Sequence, residues 1–254
     1  MIVVERLSQT FETKSGAVHA LQDVSFEVEA NEFVTLVGRS GCGKSTLLRA
    51  VSGLLAPTQG TVRIDGELVR RPRRDVSFMF QKPALLPWRN VLENVMLPAE
   101  FLKLDENTTR RRALDLLELA GLRGFESSFP HQLSGGMQQR VSLCRSLVQR
   151  PTVLLMDEPF SALDPLTRGE LALELQRIVA EESATIVFVT HSIEEAVLLS
   201  DRVVVLLPRP GRIQEIVSIR VPRPRDLGSS EQAEELAGNT SRLHALLHHR
   251  EKAA

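Results

Sequence analysis

Lys44 and Ser45 stand directly behind three glycines in G-R-S-G-C-G-K-S-T, residues 38–46. The spacing fits G-x-x-x-x-G-K-[ST], a loop that wraps phosphate. Gly38, Gly41 and Gly43 let the backbone turn tightly with no Cβ in the way of an anion. The N–H groups of the loop, which also contains Arg39, Ser40, Cys42 and Thr46, can then point inward at the positive end of a following helix. Lys44 would bridge the terminal phosphates and the Ser45 hydroxyl would bind Mg²⁺. Further on, T-V-L-L-M-D-E-P at residues 152–159 offers two adjacent carboxylates. Asp157 suits the Mg²⁺ side, and Glu158 suits a group that polarises water attacking a γ-phosphate. Alone, an Asp-Glu pair is as apt to cap a helix. Behind four apolar residues and paired with Lys44, it points to hydrolysis of a nucleoside triphosphate.

These groups need rigid elements to present them. A strand-like run, residues 33–37, leads into the loop, and residues 45–50 continue as a helix. Residues 153–156 and 185–189 are short, continuously apolar runs, as expected of parallel strands covered on both faces. Ile2-Val3-Val4, residues 24–28 and residues 61–64 read as strands, with Gly16 and Asn31 as turns. Residues 75–80 form a strand ending at Gln81, and helical spacing governs residues 85–124. The pattern predicts an α/β fold: a P-loop NTPase core with a mostly parallel sheet, an antiparallel β subdomain and an α-helical subdomain. One domain is expected over residues 1–225, with a helical insertion at about 85–150. The tail, 226–254, is expected to carry a peripheral helix around Leu243, Leu246 and Leu247 and little chemistry.

Composition narrows the class. With 254 residues, 43% hydrophobic and 25% charged, the chain reads as an ordinary globular protein, and its formal charge of -1 gives no basic field for nucleic acid. No apolar run approaches the roughly 20 residues that span a bilayer. Residues 1–6 lack the charged region and long apolar core of a signal peptide. Two cysteines, Cys42 and Cys144, make a disulfide framework improbable and fit a reducing cytosol. The basic run at residues 70–74 reads as a solvated loop before a binding patch. His244, His248 and His249 have helical spacing but no carboxylate or cysteine framework, which disfavours a metal site.

Residues 133–140, L-S-G-G-M-Q-Q-R, look physically like a helix start capped by Ser134. Their identity is similar to the signature of ATP-binding-cassette (ABC) ATPases, and with it the chain resembles that superfamily almost end to end. The resemblance implies further roles. Gln81 would sense the Mg²⁺ and the water. The loop Ser161-Ala162-Leu163-Asp164 would contact a partner subunit, and His191 would hydrogen-bond the γ-phosphate. A lone histidine after a strand would otherwise read as structural. Phe11 is assigned to adenine stacking, with core or loop packing a near-equal alternative. In the family the site spans a head-to-tail dimer, so Ser134, Gly135, Gly136 and Gln138 of one copy, with Asp164, would close on ATP held by the other.

Residues 80–88, 156–168 and 209–213 (R-P-G-R-I) resemble the ATPase subunits of nitrate, sulfonate and taurine importers. That resemblance implies integral membrane permease partners, indirectly an extracytoplasmic substrate-binding protein, and a peripheral place on the cytoplasmic face of a bacterial plasma membrane. Trp88 falls where such subunits receive the permease, whether exposed or buried. Arg39, Asn31, Ser192 and Cys144-Arg145-Ser146 depart from the family's usual residues and remove no catalytic group. A soluble ABC ATPase acting on DNA or ribosomes is the alternative. Those relatives carry a coiled-coil insertion or paired cassettes, and neither is present. A small-molecule kinase does not fit the signature.

Overall fold

Continuously apolar segments take the buried strands of this protein, and alternating ones form a half-exposed antiparallel sheet. In the computed structural model, residues 1–14, 16–161, 163–181, 183–225 and 230–248 are described. The chain opens with β1 (Ile2–Thr13) and β2 (Gly16–Val28), then β3 (Phe33–Gly38) and α1 (Lys44–Val51), then β4 (Gln59–Ile64) and β5 (Glu67–Leu68). Next come β6 (Val76–Met79), α2 (Val91–Leu102), α3 (Glu106–Leu119), a 3₁₀ turn (Pro130–Gln132) and α4 (Gly135–Leu147). After them are β7 (Val153–Asp157) and α5 (Pro165–Glu181), and last β8 (Thr185–Val189), α6 (Ile193–Leu199), β9 (Arg202–Leu207), β10 (Arg212–Ser218) and α7 (Ser230–His248).

The chain divides into two compact units, Met1–Arg73 with Thr185–Ala254, and Arg74–Ala184. In the first, an antiparallel sheet runs β2-β1-β4-β5, with Val4 opposite both Phe26 and Val62. Beside it, β3 is flanked in parallel by β8 and β9, and β10 returns antiparallel on β9. All six residues of β3 and all five of β8 are buried, so both faces of these strands are covered. Asn31 makes the turn into β3 at φ 63°, a left-handed conformation that asparagine tolerates. Buried Val37, Ile193, Val203, Val205, Val217, Leu236 and Leu243 share one core.

In the second unit, β6 pairs in parallel with β7, Met79 opposite Met156. Asn90 caps α2 in a reciprocal capping box with Glu93. Asn94, fully buried, accepts from the Leu86 N–H at 2.8 Å and donates to the Leu86 carbonyl at 3.1 Å. It thereby fixes the irregular segment before α2, on which Trp88 is 71% exposed. Among the described residues, no helix is long and apolar enough to cross a membrane.

Candidate functional site: a phosphate loop and a carboxylate cluster

The first unit carries the glycine loop. β3 ends at Gly38, where a Cβ would lie 2.6 Å from Cys42 Sγ and 2.7 Å from the Leu206 carbonyl; only glycine lets the chain leave the strand here. Gly41 and Gly43 have φ of 78° and 92°, which favours glycine. Gly43 is the N-cap of α1, and no side chain caps the helix there. The start of that helix, its positive end, faces the glycine loop. Lys44 is 5% exposed, and its Nζ donates to the Gly38 carbonyl at 2.8 Å. The lysine charge therefore lies across the loop. Arg39, Ser40 and Gly41 are exposed, Cys42 is buried, and Ser45 and Thr46 are half-buried.

Two further segments hold this loop from behind. The Gly211 N–H donates to the Ala20 carbonyl, and the Gln22 N–H to the Gly211 carbonyl, each at 2.9 Å. A Cβ on Gly211 would come within 2.1 Å of the Cys42 carbonyl. The R-P-G-R-I stretch is thus a clamp joining loop to β2, which the sequence singled out without showing why. Phe11 and Val18 face each other across β1 and β2, 38% and 50% exposed. Just beyond Val18, Ala20 and Leu21 close on the place a Gly43 Cβ would fill, at 2.9 and 2.6 Å. An exposed apolar pair thus sits on the hairpin whose second strand abuts the N-cap of α1. Val18 is not singled out by the sequence, because its pairing with Phe11 is set by the hairpin register. His191 follows β8, is exposed, and lines a recess with Gly38, Arg39 and Ser40.

The second unit carries the carboxylates. β7 is buried throughout and ends in Asp157, 7% exposed. Glu158 follows at φ 46°, a conformation a non-glycine residue adopts only when its surroundings impose it. Gln81, just past β6, donates from Nε2 to Glu158 Oε2 at 3.4 Å and to Ser161 Oγ at 3.0 Å. The Ser161 hydroxyl donates to the Glu158 carbonyl at 3.0 Å. Gln81, Glu158 and Ser161 are therefore one cluster. Buried Gln139 on α4 donates to the Pro159 carbonyl and ties α4 to the same turn.

Ser134 and Gly135 are exposed at the start of α4, where Ser134 Oγ accepts from the Met137 N–H at 3.2 Å. Gln138 donates to the Pro130 carbonyl at 2.9 Å and so braces the 3₁₀ turn that presents Ser134. Gly136 is buried, and a Cβ there would lie 2.9 Å from Thr167 Cγ2. Asp164 caps α5 by accepting from the Thr167 N–H at 3.0 Å. The hydroxyl and N–H of Thr167 hold the Asp164 carboxyl below the usual range. Both cysteines are buried and free, and burial pushes the Cys144 thiol up. Neither is built for reaction. Arg145, beside it, donates to the Ala84 carbonyl at 2.9 Å; burial pulls its guanidinium down. His249 lies outside the described residues, and among the described residues no group of three metal-ligating side chains occurs.

Left-handed glycines in the loop, a helix start with no side-chain cap and a buried lysine fit a nucleoside di- or triphosphate. Comparison with known proteins agrees. The sequence model described as ABC transporter matches residues 21–161. An uncharacterised ABC transporter ATP-binding protein of Methanocaldococcus jannaschii is 50% identical over 90% of this chain and 85% of its own length. A taurine import ATP-binding protein of Rhizobium johnstonii is 42% identical over 98% of this chain and 97% of its own. A nitrate import ATP-binding protein of Synechococcus elongatus is 45% identical over 88% of this chain, which spans 35% of that longer protein. A solved ATP-binding cassette, in a dimeric post-hydrolysis state bound to ADP and Pi, superposes with a TM-score of 0.77. It is 33% identical and is matched over 87% of this chain and 100% of its own. The chain belongs to the ABC transporter family.

Proposed function

We propose that this chain is the ATP-hydrolysing subunit of an ABC importer for a small anion or nutrient of the nitrate, sulfonate or taurine kind. The observation that carries this reading is the near end-to-end match to a taurine import ATP-binding protein, 42% identical over 98% of this chain. In the reading, the N–H groups of residues 38–46 and Lys44 hold the phosphates of ATP, and Phe11 with Val18 offers adenine an apolar face. The donor set of Ser45, Gln81 and Asp157 suits Mg²⁺, a hard cation that takes oxygen ligands; it would supply charge neutralisation at the phosphates.

Glu158 orients water and accepts its proton, and Gln81 holds that carboxylate in place. His191 donates to the γ-phosphate. Ser134, Gly135, Gly136 and Gln138, with Asp164, complete the site from a second copy of the chain, so that closure of a homodimer precedes hydrolysis. Exposed Trp88, on the segment braced by Asn94, is the proposed seat of an integral permease. In this reading the subunit sits on the cytoplasmic face of a bacterial plasma membrane, with an extracytoplasmic binding protein as an indirect partner.

Affinity purification from detergent-solubilised membranes tests the transport reading. An integral protein should co-purify with the tagged chain, and a deletion strain should lose uptake of the transported anion. A chain that stays soluble and whose ATPase activity rises with nucleic acid would overturn it.

A further inference from the structure

The recess at the start of the phosphate loop has one wall formed by the last helix. α7, beyond the matched residues 21–161, brings His244, Leu247 and His248 to a cavity of about 370 Å³ that also contains Arg39, Ser40 and His191. The helix is firmly seated. Leu236 and Leu243 are 2% and 0% exposed in a core shared with Val37, which precedes the loop, and Ile193, which follows His191. Arg242 pairs with Glu215 on β10. One turn apart on this fixed helix, the rings of His244 and His248 stack with centroids 6.0 Å apart and planes 9° from parallel.

The lining therefore combines a guanidinium, three imidazoles and a hydroxyl. Glu194 also lines the cavity, and its carboxylate accepts the Ser192 hydroxyl at 2.8 Å. Imidazole N–H groups donate to an anion in either protonation state, and a guanidinium matches the planar or tetrahedral faces of an oxyanion. The cavity has room for an ion of a few heavy atoms.

We propose that this recess is a second anion site, in which His244 and His248, with Arg39, hold a small oxyanion next to the phosphate loop. The inference rests on the proposed function in taking residues 38–46 as the nucleotide site. Two sources supply the same chemistry: inorganic phosphate released by hydrolysis, or an oxyanion of the transported class acting back on the ATPase.

The test uses the full chain with excess Mg²⁺ and a non-hydrolysable ATP analogue, so that the phosphate loop, the γ-phosphate position included, is filled. Inorganic phosphate, sulfate, nitrate and taurine are titrated separately, read by calorimetry and by the histidine ring resonances in NMR. At least one oxyanion should bind and shift the His244 and His248 signals. His244→Ala/His248→Ala should weaken that binding about tenfold or more, the loss of hydrogen bonds to a charged group, while affinity for the ATP analogue stays unchanged. Binding of phosphate alone identifies the hydrolysis product. Binding of sulfate, nitrate or taurine in its place identifies feedback by a transported anion. Unchanged anion affinity in the double variant, or binding without shifts of either ring, overturns the site. Should the double variant fail to fold by circular dichroism, the single His248→Ala, at the exposed end of α7, carries the same comparison. Failure of the wild-type chain to bind the ATP analogue would instead strike the nucleotide reading.

Discussion

The Gln81 carboxamide donates to the Glu158 carboxylate at 3.4 Å. The contact joins the end of β6 to the end of β7, and Ser161, which Gln81 also reaches, extends it into the turn before α5. A carboxylate held at its oxygen by an amide, on a residue with φ of 46°, is presented in one orientation. Glu158→Gln keeps that shape and removes the basicity. ATP turnover should fall roughly 100-fold or more, the usual worth of a positioned general base. ATP binding should persist, and size exclusion with ATP and Mg²⁺ should show a stable dimer. A variant that still hydrolyses ATP at the wild-type rate would remove Glu158 from the role of base.

Lys44 gives a separable outcome. Its Nζ already lies on the Gly38 carbonyl, so the charge is placed before any ligand arrives and little side-chain entropy remains to be lost. Lys44→Ala deletes a charge-assisted hydrogen bond of about 1.5–3 kcal/mol. Calorimetry should show nucleotide affinity reduced by about one to two orders of magnitude, with the thermal unfolding midpoint of the nucleotide-free protein little changed. Equal affinity in the two proteins would refute the phosphate role.

The parts that could be read from sequence were those whose cause is local. β3, β7 and β8 are buried on both faces and therefore announce themselves as unbroken apolar runs. The loop between β3 and α1 needs glycines at fixed offsets, which leaves a pattern. The β1–β2 hairpin was legible only at its base, residues 2–4 and 24–28, because its far end is exposed and carries no alternation of buried and exposed faces. Its register also shifts between Val4 and Leu7, between Leu7 and Gln9, and between Gln9 and Thr10. Each shift changes which face a side chain takes, so the pairing of Phe11 with Val18 could not be read off the alternation. The clamp at Gly211 and the approach of α7 to the loop join residues far apart in sequence and leave no local trace. Trp88 could not be assigned to surface or core from periodicity. What exposes it is the Asn94 brace on the backbone of Leu86.

Acid should act on the α5 start through Asp164. Hydrogen bonds from Thr167 hold its folded-state carboxyl below the ordinary range, so its contribution is fully present above the unfolded value, about pH 4. It is lost as pH falls through the lower folded value. Asp164→Asn retains an N-cap acceptor and removes the titration. Denaturant unfolding should give nearly equal stability for the two proteins near pH 7, with a shallower decline for Asp164→Asn below about pH 4. Parallel acid declines would show that Asp164 is not coupled to folding.

Gly136, from its position in the signature stretch, is easy to mistake for a purely ligand-directed residue. A Cβ there would stand 2.9 Å from Thr167 Cγ2, closer than van der Waals contact allows, so the start of α4 approaches α5 only because position 136 has no side chain. Gly136→Ala should destabilise the protein by about 1–3 kcal/mol, the ordinary cost of overpacking, partly offset by alanine's better helix propensity. Thr167→Ser removes the offending methyl and keeps both the hydroxyl and the N–H that Asp164 accepts from. Gly136→Ala/Thr167→Ser should therefore recover most of the lost stability in urea unfolding, a non-additivity expected only of residues in contact. If the two changes simply add, the close approach of α4 to Thr167 is not what requires glycine at this position. Nucleotide affinity measured on the rescued double variant then separates packing from recognition: wild-type affinity with impaired ATP-driven dimerisation would mean that the glycine serves closure as well as packing.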